Sequence, residues 1–142
     1  MTNPIFTWPV RVYWEDTDAG GIVYYANYLK FFERARTEWL RSFGLEQQAL
    51  RAQTGAMFVV SEASVKYQTP ARLDDELLVS AKVADLGRSS FTMEQQALRV
   101  GTALNANEVE LLCSARVRIG WVDATRLKPT RIPNHILQAL QT

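Results

Sequence analysis

The chain has 142 residues, 47% of them hydrophobic, and 16 lysines and arginines nearly balance 15 aspartates and glutamates. This length and apolar content predict one globular domain, residues 1–142, with a sizeable core. A formal net charge of +1 provides no strong field for binding nucleic acid. The single cysteine, Cys113, excludes an internal disulfide and any cysteine-based metal cluster.

The sequence gives no sign of membrane insertion or export. No apolar run approaches the ~20 residues that are needed to cross a bilayer. The first residues lack the basic start and apolar core of a signal peptide. We therefore expect a cytoplasmic protein.

The first predicted element is a strand with one buried face. Apolar residues recur at every second position, which is the period of a strand: Phe6, Trp8, Val10, Val12 and Trp14. The strand leads into an acidic cluster of Glu15, Asp16 and Asp18, and the turn Ala19–Gly21 follows.

A long amphipathic helix is predicted after this turn. Its apolar stripe has spacings of four, three, four and four residues and consists of Tyr28, Phe32, Ala35, Trp39 and Phe43. Gly44 is a typical helix stop. A shorter helix is predicted from Leu45 to about Gln53, before Gly55.

The remaining chain is predicted to be mainly strands. Alternation and turn residues define them as Met57–Tyr67, Leu77–Leu86, Ser90–Val100 and Glu108–Val122, with a loop at Gly101–Asn107 and a last helix near Pro133. Short connections imply an antiparallel meander that the first strand joins. The long helix needs the concave face of this sheet to bury its stripe, which predicts an α+β fold with the sheet wrapped around a central helix.

Some strands carry apolar residues on both faces. Leu78 and Leu112 alternate away from their apolar neighbours, onto the side opposite the helix. A second subunit would cover such a surface. We therefore expect a homo-oligomer.

The order strand, carboxylates, glycine turn and helix places an acid beside a helix amino end. Unpaired N–H groups and the helix dipole there favour negative charge, including the oxyanion of a reacting thioester or ester. A nearby carboxylate could serve as general base or nucleophile. Acidic residues before a helix are also very often N-caps, and the residues alone favour that role.

A longer motif favours catalysis. The runs Val10–Tyr28, Phe32–Arg41 and Pro70–Asp75 resemble the signature of the hotdog-fold 4-hydroxybenzoyl-CoA thioesterase family. More narrowly, they resemble its Tol-Pal-associated acyl-CoA thioesterases of the YbgC type. The resemblance covers nearly the whole chain and is far more specific than two aspartates before a helix.

The resemblance implies hydrolysis of acyl-CoA to a carboxylic acid and free CoA. It assigns the catalytic acid to Asp18, as general base or nucleophile, and the oxyanion donor to the backbone N–H of Tyr25. YbgC-type members often carry histidine where this sequence has tyrosine, so the resemblance supports a backbone role here, which any non-proline residue can fill. Gly21 and Val23 are expected to bind substrate between these two residues.

The resemblance also implies how CoA is held. Phosphates and pantetheine are expected near a subunit boundary, against Arg88, Ser89, Ser90, Arg126 and Lys128. No metal or cofactor is implied. The expected assembly is a dimer of hotdog dimers, with a possible contact to acyl carrier protein.

Other assignments compete with these. Asp16 is interpreted as a turn-capping residue, Glu33 and Arg34 as an ion pair across a subunit contact, and His135 as a surface residue. A hotdog dehydratase or hydratase is an alternative, but such enzymes typically use a histidine near the central helix, and this chain has none there. A further alternative is an interaction module for acyl carrier protein or the cell-envelope machinery.

Overall fold

The computed structural model describes residues 5–101 and 109–141. The strands are β1 (Phe6–Arg11), β2 (Ala56–Tyr67), β3 (Glu76–Leu86), β4 (Ser90–Val100) and β5 (Val109–Asp123). The helices are α1 (Asn27–Arg41), α2 (Gln47–Thr54) and α3 (Asn134–Leu140), with a 3₁₀ turn at Trp14–Asp16. The predicted loop Gly101–Asn107 and the predicted strand start Glu108 fall almost wholly outside the described residues.

The strands form one antiparallel sheet in the order β1-β3-β4-β5-β2. The prediction of a single antiparallel sheet is confirmed, but the simple meander is wrong, because β2 pairs with β5 and not with β3. The connection from β2 to β3 therefore crosses one end of the sheet. Its first residues are fixed there, since the N–H groups of Gln68 and Thr69 donate to the Leu112 carbonyl oxygen at 2.9 and 3.1 Å.

Helix α1 packs against β1, β3 and β4 and supplies much of the core. The predicted stripe is confirmed: its first four members are buried and Phe43 is half-buried. Phe31 and Leu40 are buried as well, because the helix is covered on more than one side. Gly44 and Gly55 end α1 and α2 in the left-handed region, at φ +79° and +71°, where glycine alone is unstrained. The predicted α+β fold is confirmed.

The first strand is shorter than its alternation predicted. β1 ends at Arg11, although Val12 is still buried and exchanges backbone hydrogen bonds with Asp74 and Asp75. The chain then turns through the 3₁₀ segment, which breaks the two-residue period. Trp14 consequently lies 82% exposed and not on the buried face of a strand.

The two leucines that were expected on the exposed outer face of the sheet are not exposed there. Leu112 is fully buried within the chain. A β-bulge makes it the extra residue of β5, because Ala97 pairs with Cys113 while Leu98 pairs with Leu111. Leu78 is half-buried and pairs with Pro9 of β1. These two leucines therefore do not form the exposed surface on which the expectation of an oligomer was based.

Within residues 5–101 and 109–141, every helix is too short or too polar to cross a lipid bilayer.

Candidate active site

Asp18 lies at the start of a tight hairpin that leads into α1. A bridge between Thr17 and Val23 joins the two arms, and the Asp18 N–H donates to the Ile22 carbonyl oxygen at 2.9 Å. The Gly21 N–H closes the turn onto the Asp18 carbonyl oxygen at 3.1 Å. Gly21 has φ +78°, a conformation that other residues rarely adopt, so the glycine is required by the turn itself.

The Asp18 carboxylate is exposed and only partly engaged. Its Oδ1 accepts the Gly20 N–H at 2.8 Å, and a Cβ at Gly20 would lie 3.3 Å from that oxygen. No group among the described residues donates to Oδ2. The carboxylate is therefore oriented by one backbone donor while its second oxygen is accessible to water or a substrate.

Asp16, two residues earlier, has a structural role. Its side chain is buried, and Oδ2 accepts the Tyr13 N–H at 2.8 Å. Its carbonyl oxygen accepts the Tyr24 N–H at 3.0 Å and the Asn27 Nδ2 at 2.9 Å. The interpretation of Asp16 as a turn-capping residue is confirmed, and the same residue fixes the start of α1 relative to the Asp18 hairpin.

Tyr25 lies in the turn before α1, two residues ahead of the first helical residue. Its side chain is 62% exposed. The Asn27 N–H already uses the Tyr24 carbonyl oxygen, at 2.8 Å. In the part of the chain that the structure describes, the Tyr25 and Ala26 N–H groups have no hydrogen-bond acceptor. Both are thus available at the positive end of the helix dipole.

The two residues that were expected to bind substrate beside Asp18, Gly21 and Val23, have structural roles in the hairpin. Gly21 shapes the turn and is half-buried. Val23 is buried and its N–H donates to the Ala71 carbonyl oxygen at 2.9 Å, so its side chain anchors the hairpin and is not open to a ligand in this chain. Ile22 forms a second bridge to Arg72. The segment before β3 is therefore one wall of the site.

Tyr67, the last residue of β2, also reaches this junction. Its hydroxyl donates to the Tyr25 carbonyl oxygen at 3.0 Å. Its ring lies edge-on to the Tyr25 and Tyr28 rings, with centroids 6.2 and 5.6 Å apart. The Tyr28 hydroxyl in turn accepts the Ala71 N–H at 3.0 Å. A cluster of tyrosines thus connects the helix start to the end of β2.

Cys113 offers no alternative nucleophile. The thiol is buried in the core opposite Tyr67. Burial raises the pKa of Cys113 to about 12, because the thiolate would lose its hydration. The thiol is therefore protonated at neutral pH and unreactive.

The residues expected to bind CoA lie on two segments at a different place. The Arg88 carbonyl oxygen accepts the Ile132 N–H at 2.8 Å, and that of Ser89 accepts the Trp121 N–H at 2.8 Å. These bonds place the turn of Arg88, Ser89 and Ser90 beside the polar tail that carries Arg126 and Lys128. The expectation that these five residues together bind CoA stays a prediction.

The tail loop is ordered around Asp123. Its Oδ1 accepts the N–H groups of Thr125 and Arg126 at 2.9 and 2.8 Å. These donors, that of Arg126 most strongly, hold the pKa of Asp123 below its ordinary value. Arg126 and Lys128 are both exposed on this loop.

This basic group lies far from Asp18 within one chain. The Asp18 hairpin contacts residues just before β3, whereas Arg88 lies just after it. The 11 residues of β3, at about 3.3 Å each, give a path of roughly 35 Å along the strand between the two ends. The structure thus does not place Arg88, Arg126 or Lys128 beside Asp18 of the same subunit.

The family is shown by comparison with known proteins. The family model of the thioesterase-like superfamily matches residues 12–140. The chain belongs to this superfamily. It is 44% identical over 138 residues to the acyl-CoA thioester hydrolase YbgC of Escherichia coli O6:H1. This alignment covers 96% of each protein. It is 40% identical to the acyl-CoA thioesterase YbgC of Haemophilus influenzae, over 98% of this chain and 96% of that protein.

Solved structures agree with the family. The crystal structure of a probable thioesterase from Bartonella henselae matches with a TM-score of 0.80 and 33% sequence identity. The match covers 92% of this chain and all of that chain. The predicted hotdog architecture and the predicted family are therefore confirmed for this thioesterase-like protein.

Two features of this thioesterase-like chain were missed by sequence reasoning. One is Tyr67, whose only signal was an aromatic residue directly before the turn sequence Gln68-Thr69-Pro70. The other is Gln95, which is buried and donates to the carbonyl oxygens of Phe32 and Ser80 while accepting from Arg36 at 3.0 Å. A glutamine at an inward position of β4 was the available signal.

Proposed function

We propose that this protein is an acyl-CoA thioesterase, which cleaves acyl-CoA to a carboxylic acid and free CoA. The observation that carries the proposal is the exposed, backbone-oriented Asp18 carboxylate on a hairpin that leads directly into the first turn of α1. The relatives from Escherichia coli and Haemophilus influenzae, whose names state this activity, are similar over nearly their whole length.

The geometry supports the following chemistry. Asp18 removes a proton from water, the hydroxide adds to the thioester carbonyl, and the C–S bond breaks as CoA leaves and takes up a proton. Alternatively, the Asp18 carboxylate attacks the carbonyl itself, and the C–S bond breaks as CoA leaves as a thiolate that takes up a proton. Water then hydrolyses the resulting mixed anhydride, which releases the carboxylic acid and restores Asp18. In both routes the Tyr25 N–H and the helix dipole stabilise the oxyanion.

The direct test is the release of free thiol from a panel of acyl-CoAs that differ in chain length. Saturable turnover that exceeds the uncatalysed rate supports the proposal. A folded protein that binds acyl-CoA or acyl carrier protein without turnover would instead support the alternative of an interaction module.

A groove beside α1 suits the acyl group. A cavity of about 320 Å³ begins at Leu29, one turn after Tyr25, and extends to Arg36 between α1 and the strands β2 and β5. A second cavity, of about 260 Å³, shares Glu33, Arg36 and Val60 with it. Its deeper walls are largely apolar and include Phe58, Phe91, Met93 and Ile119. We propose that the acyl chain lies along this groove.

We also propose that two subunits pair through β2. This strand forms an edge of the sheet and has 12 residues, whereas the opposite edge, β1, has six and contains Pro9. A long unprotected edge is a ready surface for pairing with another chain. Val60 is half exposed on it and borders the groove. Two such dimers would form the expected tetramer.

Introducing a charge into this edge is expected to disrupt assembly and activity together. Val60→Asp should weaken the dimer at least about tenfold, because a two-fold contact repeats the unfavourable charge and like charges in an interface cost several kcal/mol. Val109→Asp is the matched control, since Val109 is equally apolar and 59% exposed on β5. Light scattering and thiol release should be measured at the same protein concentrations. A monomeric variant with full activity would contradict a site shared between subunits.

Antiparallel pairing of β2 between two subunits would bring Asp18 of one subunit close to the basic group of the other. Within one chain, Tyr67 marks the Asp18 end of β2, and Gly55, just before its other end, accepts the Ala124 N–H from the tail loop at 2.9 Å. Reversing the strand in a partner brings its basic end toward this Asp18. We propose that CoA phosphates bind to the partner's group of Arg88, Arg126 and Lys128.

Removing these cations is expected to affect binding more than chemistry. Arg88→Ala, Arg126→Ala or Lys128→Ala should raise KM for acyl-CoA more than it lowers kcat, because phosphate contacts remote from the carbonyl are made equally in ground and transition states. A short pantetheine thioester without those phosphates should be hydrolysed almost normally. Lys82→Ala is the surface control. Equal losses on both substrates would exclude phosphate binding.

The remaining expectations follow from the resemblance. We propose a cytoplasmic location and, as in the Tol-Pal-associated group, a role connected with the cell envelope. Contact with acyl carrier protein is tested by the same assay with acyl carrier protein thioesters in place of acyl-CoA.

A further inference from the structure

The hydroxyl of Tyr67 donates to a backbone carbonyl in the turn just before α1. Tyr25 precedes the N-cap Ala26, so its carbonyl oxygen lies outside the hydrogen-bond ladder of α1. Here the Leu29 N–H donates to the Ala26 carbonyl oxygen at 3.2 Å, and the Tyr67 hydroxyl occupies the Tyr25 carbonyl oxygen at 3.0 Å. One hydroxyl from the end of β2 therefore anchors the carbonyl of a peptide unit in the turn before the helix.

That peptide unit includes the Ala26 N–H. The Tyr25 carbonyl and the Ala26 N–H belong to one rigid plane and point in opposite directions. A hydrogen bond to the carbonyl fixes the plane and polarises the N–H on its other side. Among residues 5–101 and 109–141 nothing accepts from this N–H. The Asn27 N–H closes the turn around this peptide onto the Tyr24 carbonyl oxygen at 2.8 Å, and the Tyr67 hydroxyl is the described donor to the peptide's own carbonyl.

We propose that Tyr67 is a positioning residue, which holds the Tyr25–Ala26 peptide so that the Ala26 N–H acts beside the Tyr25 N–H as a donor to the thioester oxyanion. This inference rests on the proposed thioesterase site. It adds a second N–H donor to that site. The residue that orients this donor, Tyr67, is 42 positions after Tyr25 in the sequence.

The contacts around Tyr67 are consistent with a positioning role. The strand end is held by Gln68 and Thr69, whose N–H groups bond to the bulged residue Leu112 of β5. Tyr67 is 49% exposed, and its ring makes edge-on contacts with Tyr25 and Tyr28. Burial, together with the neighbouring Cys113 and Tyr25, raises the pKa of the Tyr67 phenol, so the hydroxyl is a donor at neutral pH. The phenol is thus held by one hydrogen bond and two ring contacts, and it is protonated under assay conditions.

The test is Tyr67→Phe, which removes the hydroxyl and keeps the ring contacts. We expect kcat to fall about tenfold with KM within twofold, because a misoriented donor costs transition-state stabilisation more than substrate binding. Tyr13→Phe is the control, since Tyr13 is an exposed tyrosine near the same hairpin whose hydroxyl is not part of the proposed site. The melting temperature of each variant shows whether the fold is retained.

A second measurement separates positioning from other roles. In a ¹⁵N-labelled protein, the Ala26 amide resonance should shift in Tyr67→Phe and remain in place in Tyr13→Phe, while amides of α3 stay unchanged in both. An unchanged kcat would overturn the proposal, and so would a reduced kcat without an Ala26 shift. A rise in KM alone would show that Tyr67 contacts substrate directly. If Asp18→Asn, measured in parallel, retained activity, the proposed site itself would fail instead.

Discussion

Replacing Asp18 with asparagine is expected to lower kcat at least about 100-fold, which is the lower range for acid–base catalysis. Asparagine keeps the size of the side chain and its Oδ1 acceptor, so the hydrogen bond from Gly20 is retained. It cannot remove a proton from water or attack a carbonyl. Steady-state thiol release from a good acyl-CoA substrate measures the loss.

Two matched variants make this result specific. Glu15→Gln removes an exposed carboxylate three residues away and should leave kcat within about twofold, because an isolated surface charge contributes little. Tyr25→Phe should also retain most activity, since the proposed contribution of Tyr25 is its N–H. Wild-type-like turnover by folded Asp18→Asn would remove Asp18 from the mechanism. A loss in Tyr25→Phe as deep as that in Asp18→Asn would show that the phenol is required.

The largest expected effect on stability comes from the centre of α1. Phe32 is fully buried between this helix and the sheet. Phe32→Ala removes its ring from the core and leaves a cavity, which is expected to lower the free energy of unfolding by about 3–5 kcal/mol. Urea unfolding should be followed at one fixed protein concentration, because assembly adds to apparent stability.

Leu29→Ala is the control on the same helix. Leu29 is 43% exposed, so truncating it removes much less buried surface, and we expect a loss of about 1 kcal/mol. Similar losses in both variants would contradict the assignment of the buried face. A Phe32→Ala protein with an unchanged denaturation midpoint would mean that α1 does not anchor the core.

Asp16 and Asp18 show what the sequence can predict about a site and what needs the structure. Both precede a helix, and by residue type either could be a cap or a catalytic acid. Asp16 is buried and its carboxylate accepts the Tyr13 N–H. Asp18 is exposed, and from the described residues its carboxylate accepts only the Gly20 N–H. The motif indicated Asp18 as the catalytic acid. The difference in burial gives a physical reason for that choice, because only the exposed carboxylate is accessible to water or substrate.

Elements that depend on local pattern were determined by the sequence itself. The stripe of α1, its stop at Gly44, the second stop at Gly55 and the long strands could be predicted, because periodicity and backbone freedom are properties of neighbouring residues. The glycine turn after Asp18 was also visible, and its φ of +78° at Gly21 explains why glycine is needed there.

What the sequence could not determine depends on contacts between distant segments. Three features show this: the pairing of β2 with β5, the burial of Leu112 by a bulge, and the hydroxyl of Tyr67 on the Tyr25 carbonyl. Each joins residues of different elements that are separated in sequence. Alternation states which face a residue takes but neither which strand lies beside it nor where a bulge shifts the register. The tertiary structure alone therefore decided that the basic group and Asp18 lie at opposite ends of the sheet.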